Sequence, residues 1–208
     1  MHYETDAAGR LIIPDAETLT RLDIWGRADV KLLPPLPAAT AVYVSGCTGL
    51  TSLYLPAATV VNVIGCTGLT SLYLPAATVV DAIGCAGLTS LELPAAKFVN
   101  ASGCTGLRHL ACPALPTPPV IPDLAARVAA AVGDGESLDM SNWHCGTSHC
   151  HAGWITTIAG EAGAALEAAS NTATAAALIV MASQPHLGVP DFYVGNDEAL
   201  ADIRRRAA

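Results

Sequence analysis

Three histidines and two cysteines fall within the eight residues His144–His151, inside the run Trp143-His144-Cys145-Gly146-Thr147-Ser148-His149-Cys150-His151-Ala152-Gly153-Trp154. Two chemistries use such side chains. Zinc takes tetrahedral Cys and His donors, and His144, Cys145, His149 and Cys150 are the candidate ligands. The C-x4-C spacing fits that pattern loosely, and no second Cys/His pair follows downstream, where His186 stands alone. The other chemistry is nucleophilic: the dipole of a helix N-terminus and a neighbouring imidazolium both lower a thiol pKa. Cys145 or Cys150 with His144 or His149 would form that pair, and Asp139 and Glu161 are the carboxylates within sequence reach to orient the base. Ordinary packing is the third reading and carries the most weight. It makes Trp143, Cys150 and Trp154 core residues, Thr147 a helix cap and Gly153 the site of a close helix contact. A Cys145–Cys150 disulfide is within geometric reach but disfavoured in a reducing compartment.

These residues need a helix to hold them. The pattern predicts one beginning at Thr147 or Ser148 and running towards Ile158, which would point Cys150 and His151 in different directions and weaken a shared metal. Asp123 reads as the cap of a helix over Leu124–Val132 closed by Gly133. Two Ala-rich helices follow at Glu161–Ala169 and Thr174–Ala182, and Asn196 reads as the cap of a last one, Glu198–Arg206. The basic run Arg204-Arg205-Arg206 then reads as a solvated helix end that complements the dipole. Pro113, Pro116, Pro118, Pro119 and Pro122 mark an extended connector before the helices.

The first half of the chain is organised differently. Leu-Pro-Ala-Ala begins at Leu36, Leu55, Leu74 and Leu93, and Gly-Cys at Gly46, Gly65, Gly84 and Gly103, a strict 19-residue period. One such unit cannot bury its apolar face alone, so the copies must stack as a solenoid. Pro14 and Pro34, 20 residues apart, bracket a degenerate rung suited to capping the N-terminal end. Alternation in Leu53-Tyr54-Leu55 and its copies places the leucines inward and Ser52 and Tyr54 outward. Gly46 and Gly49, with their copies, are expected to supply positive φ. Cys47, Cys66, Cys85 and Cys104 form an interior ladder whose parallel side chains suit neither a disulfide nor converging metal ligation. The outward stripes read Ser52, Ser71, Ser90, His109 and Tyr54, Tyr73, Glu92, Ala111. They are the candidate binding face, because tyrosine is common at interface centres.

The motif Leu-x-x-Leu-x-Leu-Pro followed by Gly-Cys-Thr-Gly-Leu resembles short bacterial leucine-rich repeats of the Treponema-type or BspA-like class, over roughly Leu11–Leu115. The unit is trimmed relative to that class, and a Gly-Cys turn stands where its asparagine or cysteine ladder position falls. The resemblance implies a recognition role and names no ligand. The segment Leu138–Arg205 resembles a group of uncharacterised phage and bacterial proteins. It does so through Trp143–Trp154, Ala175–Ser183, Pro190-Asp-Phe-Tyr193 and Glu198–Ile203. That likeness implies a phage or prophage origin and brings no activity with it.

The expected fold is therefore α+β: a short leucine-rich-repeat β-solenoid over residues 1–115, a connector over 116–122 and a small α-helical domain over 123–208. A net charge of −8 argues against nucleic-acid binding, which depends on clustered Lys and Arg. No stretch approaches the ~18 apolar residues of a membrane span. Met1–Asp6 has neither a basic start nor an apolar run, and seven cysteines, four of them repeat positions, fit a reducing cytoplasm. The expected function is non-enzymatic recognition of a protein partner through the strand face, with homo-oligomerisation as a further mode and no required cofactor. The alternative is a thiol- or metal-dependent enzyme, or a ligand-binding protein, centred on His144–His151, with zinc as its cofactor.

Overall fold

The computed structural model describes residues 3–145 and 147–208, Cys145 by its backbone alone. An antiparallel hairpin of β1 (Glu4–Thr5) and β2 (Leu11–Ile12) opens the chain. Each later unit contributes short strands to two parallel stacks. The first runs β3 (Arg21–Asp23), β4 (Ala41–Tyr43), β6 (Val60–Asn62), β8 (Val79–Asp81) and β10 (Phe98–Asn100), hydrogen-bonded in that order. The second holds β5 (Ser52–Tyr54), β7 (Ser71–Tyr73), β9 (Ser90–Glu92) and β11 (His109–Ala111). The result is a parallel β-solenoid of about five turns, followed by a helical region. Arg10 bridges Leu32 and β3 pairs with β4, so the degenerate first rung exists and the β1–β2 hairpin lies at its end.

Within a rung, Leu53, Leu72 and Leu91 and the four repeat cysteines are buried, as are Ala39, Ala58, Ala77 and Ala96. The two repeat glycines have different reasons to be glycine. Gly46, Gly65, Gly84 and Gly103 hold φ of 67 to 70°, the left-handed region that side chains resist. Gly49, Gly68, Gly87 and Gly106 do not, contrary to expectation. A Cβ on any of them would lie 2.2 to 2.6 Å from a carbonyl oxygen of the preceding rung, so close stacking excludes a side chain there. The cysteine ladder ties rungs together. The Cys66, Cys85 and Cys104 thiols donate to the carbonyls of Val44, Val63 and Ala82 at 3.0, 3.0 and 3.1 Å. Burial pushes the Cys66 thiol up to about 11 and that of Cys104 to about 12, which keeps the donors protonated.

The helical region comprises α1 (Leu124–Val132), a hairpin of β12 (His144–Cys145) and β13 (Ser148–His149), α2 (His151–Ile158), α3 (Gly160–Ala169), α4 (Thr172–Ser183), a short 3-10 turn at Pro185–Leu187 and α5 (Asn196–Ala207). Helix α4, buried continuously from Ala173 to Met181, lies against β10 and β11. The helix, through Thr174, and the loop Pro190–Phe192 together close the solenoid by imitating the rung that would come next. Gly46, Gly65 and Gly84 each donate a backbone bond to the following rung, and Gly103 finds the carbonyl of Pro190 instead, at 3.0 Å. Thr174 Oγ1 both accepts from the Val99 amide and donates to its carbonyl, each at 3.0 Å. Ser102 donates to Asp191 and accepts from the Phe192 amide.

Three local expectations are corrected. Asp123 precedes α1 with a left-handed φ of 53° and makes no capping bond; Gln184 Oε1 takes the Ala125 amide instead. Asn196 lies inside α5, and its side chain spans to the loop before the hairpin, accepting from the Met140 amide and donating to the Leu138 carbonyl. Arg206 is not a solvated helix end: its side chain is 5% exposed, held by Asp202 and by the carbonyls of Leu187 and Gly188. No helix among the described residues is long and apolar enough to cross a membrane.

Candidate functional site

The helix expected from Thr147 or Ser148 begins only at His151, because residues 144–149 are taken up by the hairpin. Cys150 is its N-cap, and its sulfur accepts the Gly153 amide at 3.3 Å. The strand Ser148–His149 is gripped along one edge by the segment Ser137–Asp139. The His149 amide donates to Ser137, and its carbonyl accepts from Asp139, both at 3.1 Å. Behind the hairpin, a Cβ on Gly153 would sit 2.0 Å from the Trp143 carbonyl oxygen, so only glycine lets β12 rest on α2. The Trp154 indole donates to the Ser137 carbonyl at 3.0 Å. Trp154 is only partly buried, and Trp143 is exposed, standing edge-on to Tyr193 rather than in the core.

His144 and His149 are direct cross-strand partners, and their Nδ1 atoms lie 2.9 Å apart. The other nitrogen of His144, Nε2, meets Glu167 of α3 at 3.0 and 3.2 Å from the two carboxylate oxygens. Thr172 in turn donates to Glu167 Oε1. A carboxylate only accepts, so His144 donates from Nε2 to Glu167, and of the two facing Nδ1 atoms one donates and the other accepts. His149 stands edge-on to Trp154 at 4.7 Å. Burial, and then the neighbouring His144, lower its pKa, while Glu167 opposes the shift.

Glu167 is the orienting carboxylate, and neither Asp139 nor Glu161 takes that role. Asp139 accepts from the Ser141 amide and hydroxyl and from Asn142, which hold its carboxyl below the usual range and fix the turn leading into the hairpin. Glu161 is exposed on α3. Twenty-three residues separate His144 from Glu167, and only the fold of α3 back across α2 brings them together. The nucleophile reading loses Cys150: its thiol is 2% exposed, is used as a cap, and has its pKa raised by burial rather than lowered by the helix. The side chain of Cys145 and the whole of Gly146 lie outside the described residues, and with them the Cys145 readings. His151 points away from the pair, buried edge-on to Phe192 with its Nδ1 unpartnered beside α5. Among the described residues no three His, Cys, Asp or Glu side chains enclose a metal.

The second candidate region is the outer face of the β5–β11 stack. Tyr54 and Tyr73, 66 and 55% exposed, stack with ring centroids 5.2 Å apart and planes within 4°. Glu92 meets His109 diagonally at 3.6 Å, and Ser52, Ser71 and Ser90 line the neighbouring exposed stripe. Pairing therefore groups the outward side chains two by two, and the backbone follows suit. Leu55 donates to Tyr73 and Leu93 to Ala111, yet β7 and β9 form no ladder, and the stack divides into β5–β7 and β9–β11. A groove of about 360 Å³ lies along this division, lined by Ser71, Tyr73, Pro75, Ser90, Glu92 and Pro94 among others. A second, of about 400 Å³, flanks the opposite side of the tyrosine pair, against Arg10, Leu33, Pro34 and Pro35. The sequence marks the tyrosines and serines of this face but not the division, whose one visible trace is the change from Tyr54 and Tyr73 to Glu92. No protein-family model, curated protein or solved structure matches the chain.

Proposed function

We propose that the chain is a non-enzymatic recognition protein, a leucine-rich-repeat-like solenoid of phage or prophage origin acting in the cytoplasm. In this reading the β5–β11 face binds a protein partner and the helical region closes the array. The observation that carries it is the stacked Tyr54–Tyr73 pair standing exposed between two grooves, one of them floored by strand edges that lack a ladder. Rigid aromatic surface between two grooves offers a partner apolar contact at little entropic cost.

The test compares wild type with the Tyr54→Ala, Tyr73→Ala double variant. A partner recovered from the host and purified should bind wild type at least about tenfold more tightly, the expected scale of an interface hot spot. Equal affinity for both forms removes the strand-face reading. The same face would mediate self-association, and sedimentation of the two forms over a concentration series separates a second copy from a foreign partner.

A second reading, ligand binding at the helical region, is favoured by the Glu167–His144–His149 alignment. Its thiol-dependent form is not supported at Cys150, which is buried and engaged as a cap.

A further inference from the structure

We propose that the hairpin holds a divalent transition-metal ion of the zinc and copper class between Nδ1 of His144 and Nδ1 of His149. This site is separate from the strand face and stands or falls independently of it.

The first support is convergence. The two Nδ1 atoms face one another at 2.9 Å across a cross-strand pair. Two nitrogens each about 2.1 Å from a tetrahedral ion lie about 3.4 Å apart, so the pair needs to open by only about 0.5 Å to admit one. The second is the partner of the remaining nitrogen. A ligating histidine typically gives its other N–H to a carboxylate, which fixes the ring and raises the basicity of the ligating atom. His144 gives Nε2–H to Glu167, and Glu167 is itself held by Thr172. The third is rigidity. Ser137 and Asp139 pin β13, and Gly153 seats β12 on α2, so both donors are placed before any ion arrives.

The chemistry follows from the donors. Paired imidazoles select zinc, copper or nickel over magnesium and calcium, which prefer oxygen. Each Nδ1 must be unprotonated to ligate, so the proton shared between the two rings leaves for Nε2 of His149 or for solvent as the ion enters. Two protein donors leave two positions of a tetrahedron open to water or to a donor atom of a bound molecule.

The experiment titrates Zn²⁺ into the full-length, chelator-stripped protein by calorimetry, and follows the imidazole nitrogens by NMR. The expected result is saturable binding of one ion per chain, with the Nδ1 resonances of both histidines moving together. Affinity should be lost in His149→Ala and His144→Ala, and should fall about tenfold to a hundredfold in Glu167→Gln. Absence of saturable binding, or binding undiminished in His149→Ala, overturns the proposal. So do Nδ1 resonances of the wild type that stay still at saturation, a readout that does not depend on any variant folding.

Discussion

The solenoid and the helical region both carry cysteine and histidine, with opposite results. In the solenoid every residue is related to its copy by translation, so Cys47, Cys66, Cys85 and Cys104 all point the same way, and three of them donate to the preceding rung. Translation makes ladders, and parallel side chains do not converge on one atom. The helical region has no such symmetry. A hairpin and α3 approach from different directions, and their side chains meet at one place, with His144 between His149 and Glu167. Repetition supplies a surface; the loss of repetition supplies a site.

The comparison can be broken first at glycine, where both regions depend on the near contact of a backbone carbonyl. Gly68→Ala drives a Cβ to 2.3 Å from the Thr48 carbonyl in mid-array, and should cost about 3 kcal/mol or more. Gly65→Ala meets nothing closer than 3.8 Å and bears only its left-handed φ, for about 1–2 kcal/mol. Chemical denaturation of the two variants measures the difference, and equal losses would refute the two-role account of the repeat glycines. Gly153→Ala imposes the corresponding clash, at 2.0 Å, where no copy exists. It should lift the hairpin from α2 and separate the histidines at a cost of about 2 kcal/mol. Its imidazole NMR signals should shift while the amide signals of β6 and β8 stay in place.

Two titrating groups sharpen the contrast with opposite signs. Burial, and then Arg206, push His151 down to about 4, below its unfolded value. The stability this contributes is complete above the unfolded pKa of about 6.5 and is lost as pH falls towards 4. Thermal melts between those pH values should show the helical region weakening in wild type and not in His151→Leu. Asp81 is shifted the other way. It occupies the column of Asn62 and Asn100 on the first stack, its Oδ1 is buried without a partner, and burial raises its pKa. Its folded form therefore favours the proton, and that contribution fades as pH rises through the folded pKa. Asp81→Asn completes the column and should gain about 1 kcal/mol near neutral pH, the smallest of these effects. A melting temperature unchanged at neutral pH would show that the buried oxygen costs nothing.

Legibility from sequence divides along the same line. The parity of Leu53, Leu55, Ser52 and Tyr54 was readable because each position is written several times, so one alternation had to satisfy every copy. The inward cysteines followed for the same reason. Gly49 was misread because close stacking and positive φ both select glycine, and sequence reports only the residue. In the helical region the bounds of α1 came through, since Leu124–Val132 ends at Gly133. The hairpin did not, because His144–His149 shows no alternation and no strong turn pair, and Thr147 and Ser148 imitate a cap. Asn196 carried a cap signature but spends its side chain on Met140 and Leu138. Glu167 had no local mark at all, since its role exists only through tertiary contact.

The mimicry by which Pro190 stands in for an absent rung makes the array countable. The strands that α4 lies against are the final β10 and β11, and the N-terminal hairpin closes the first rung, so neither end reads how many rungs lie between. A unit gained or lost in register would keep both closures intact. It would move the tyrosine face relative to the histidine hairpin in steps of about 4.8 Å, the spacing of paired strands. The near-verbatim copies are thus graduations on a ruler, and the length of the protein is a variable that its fold leaves free.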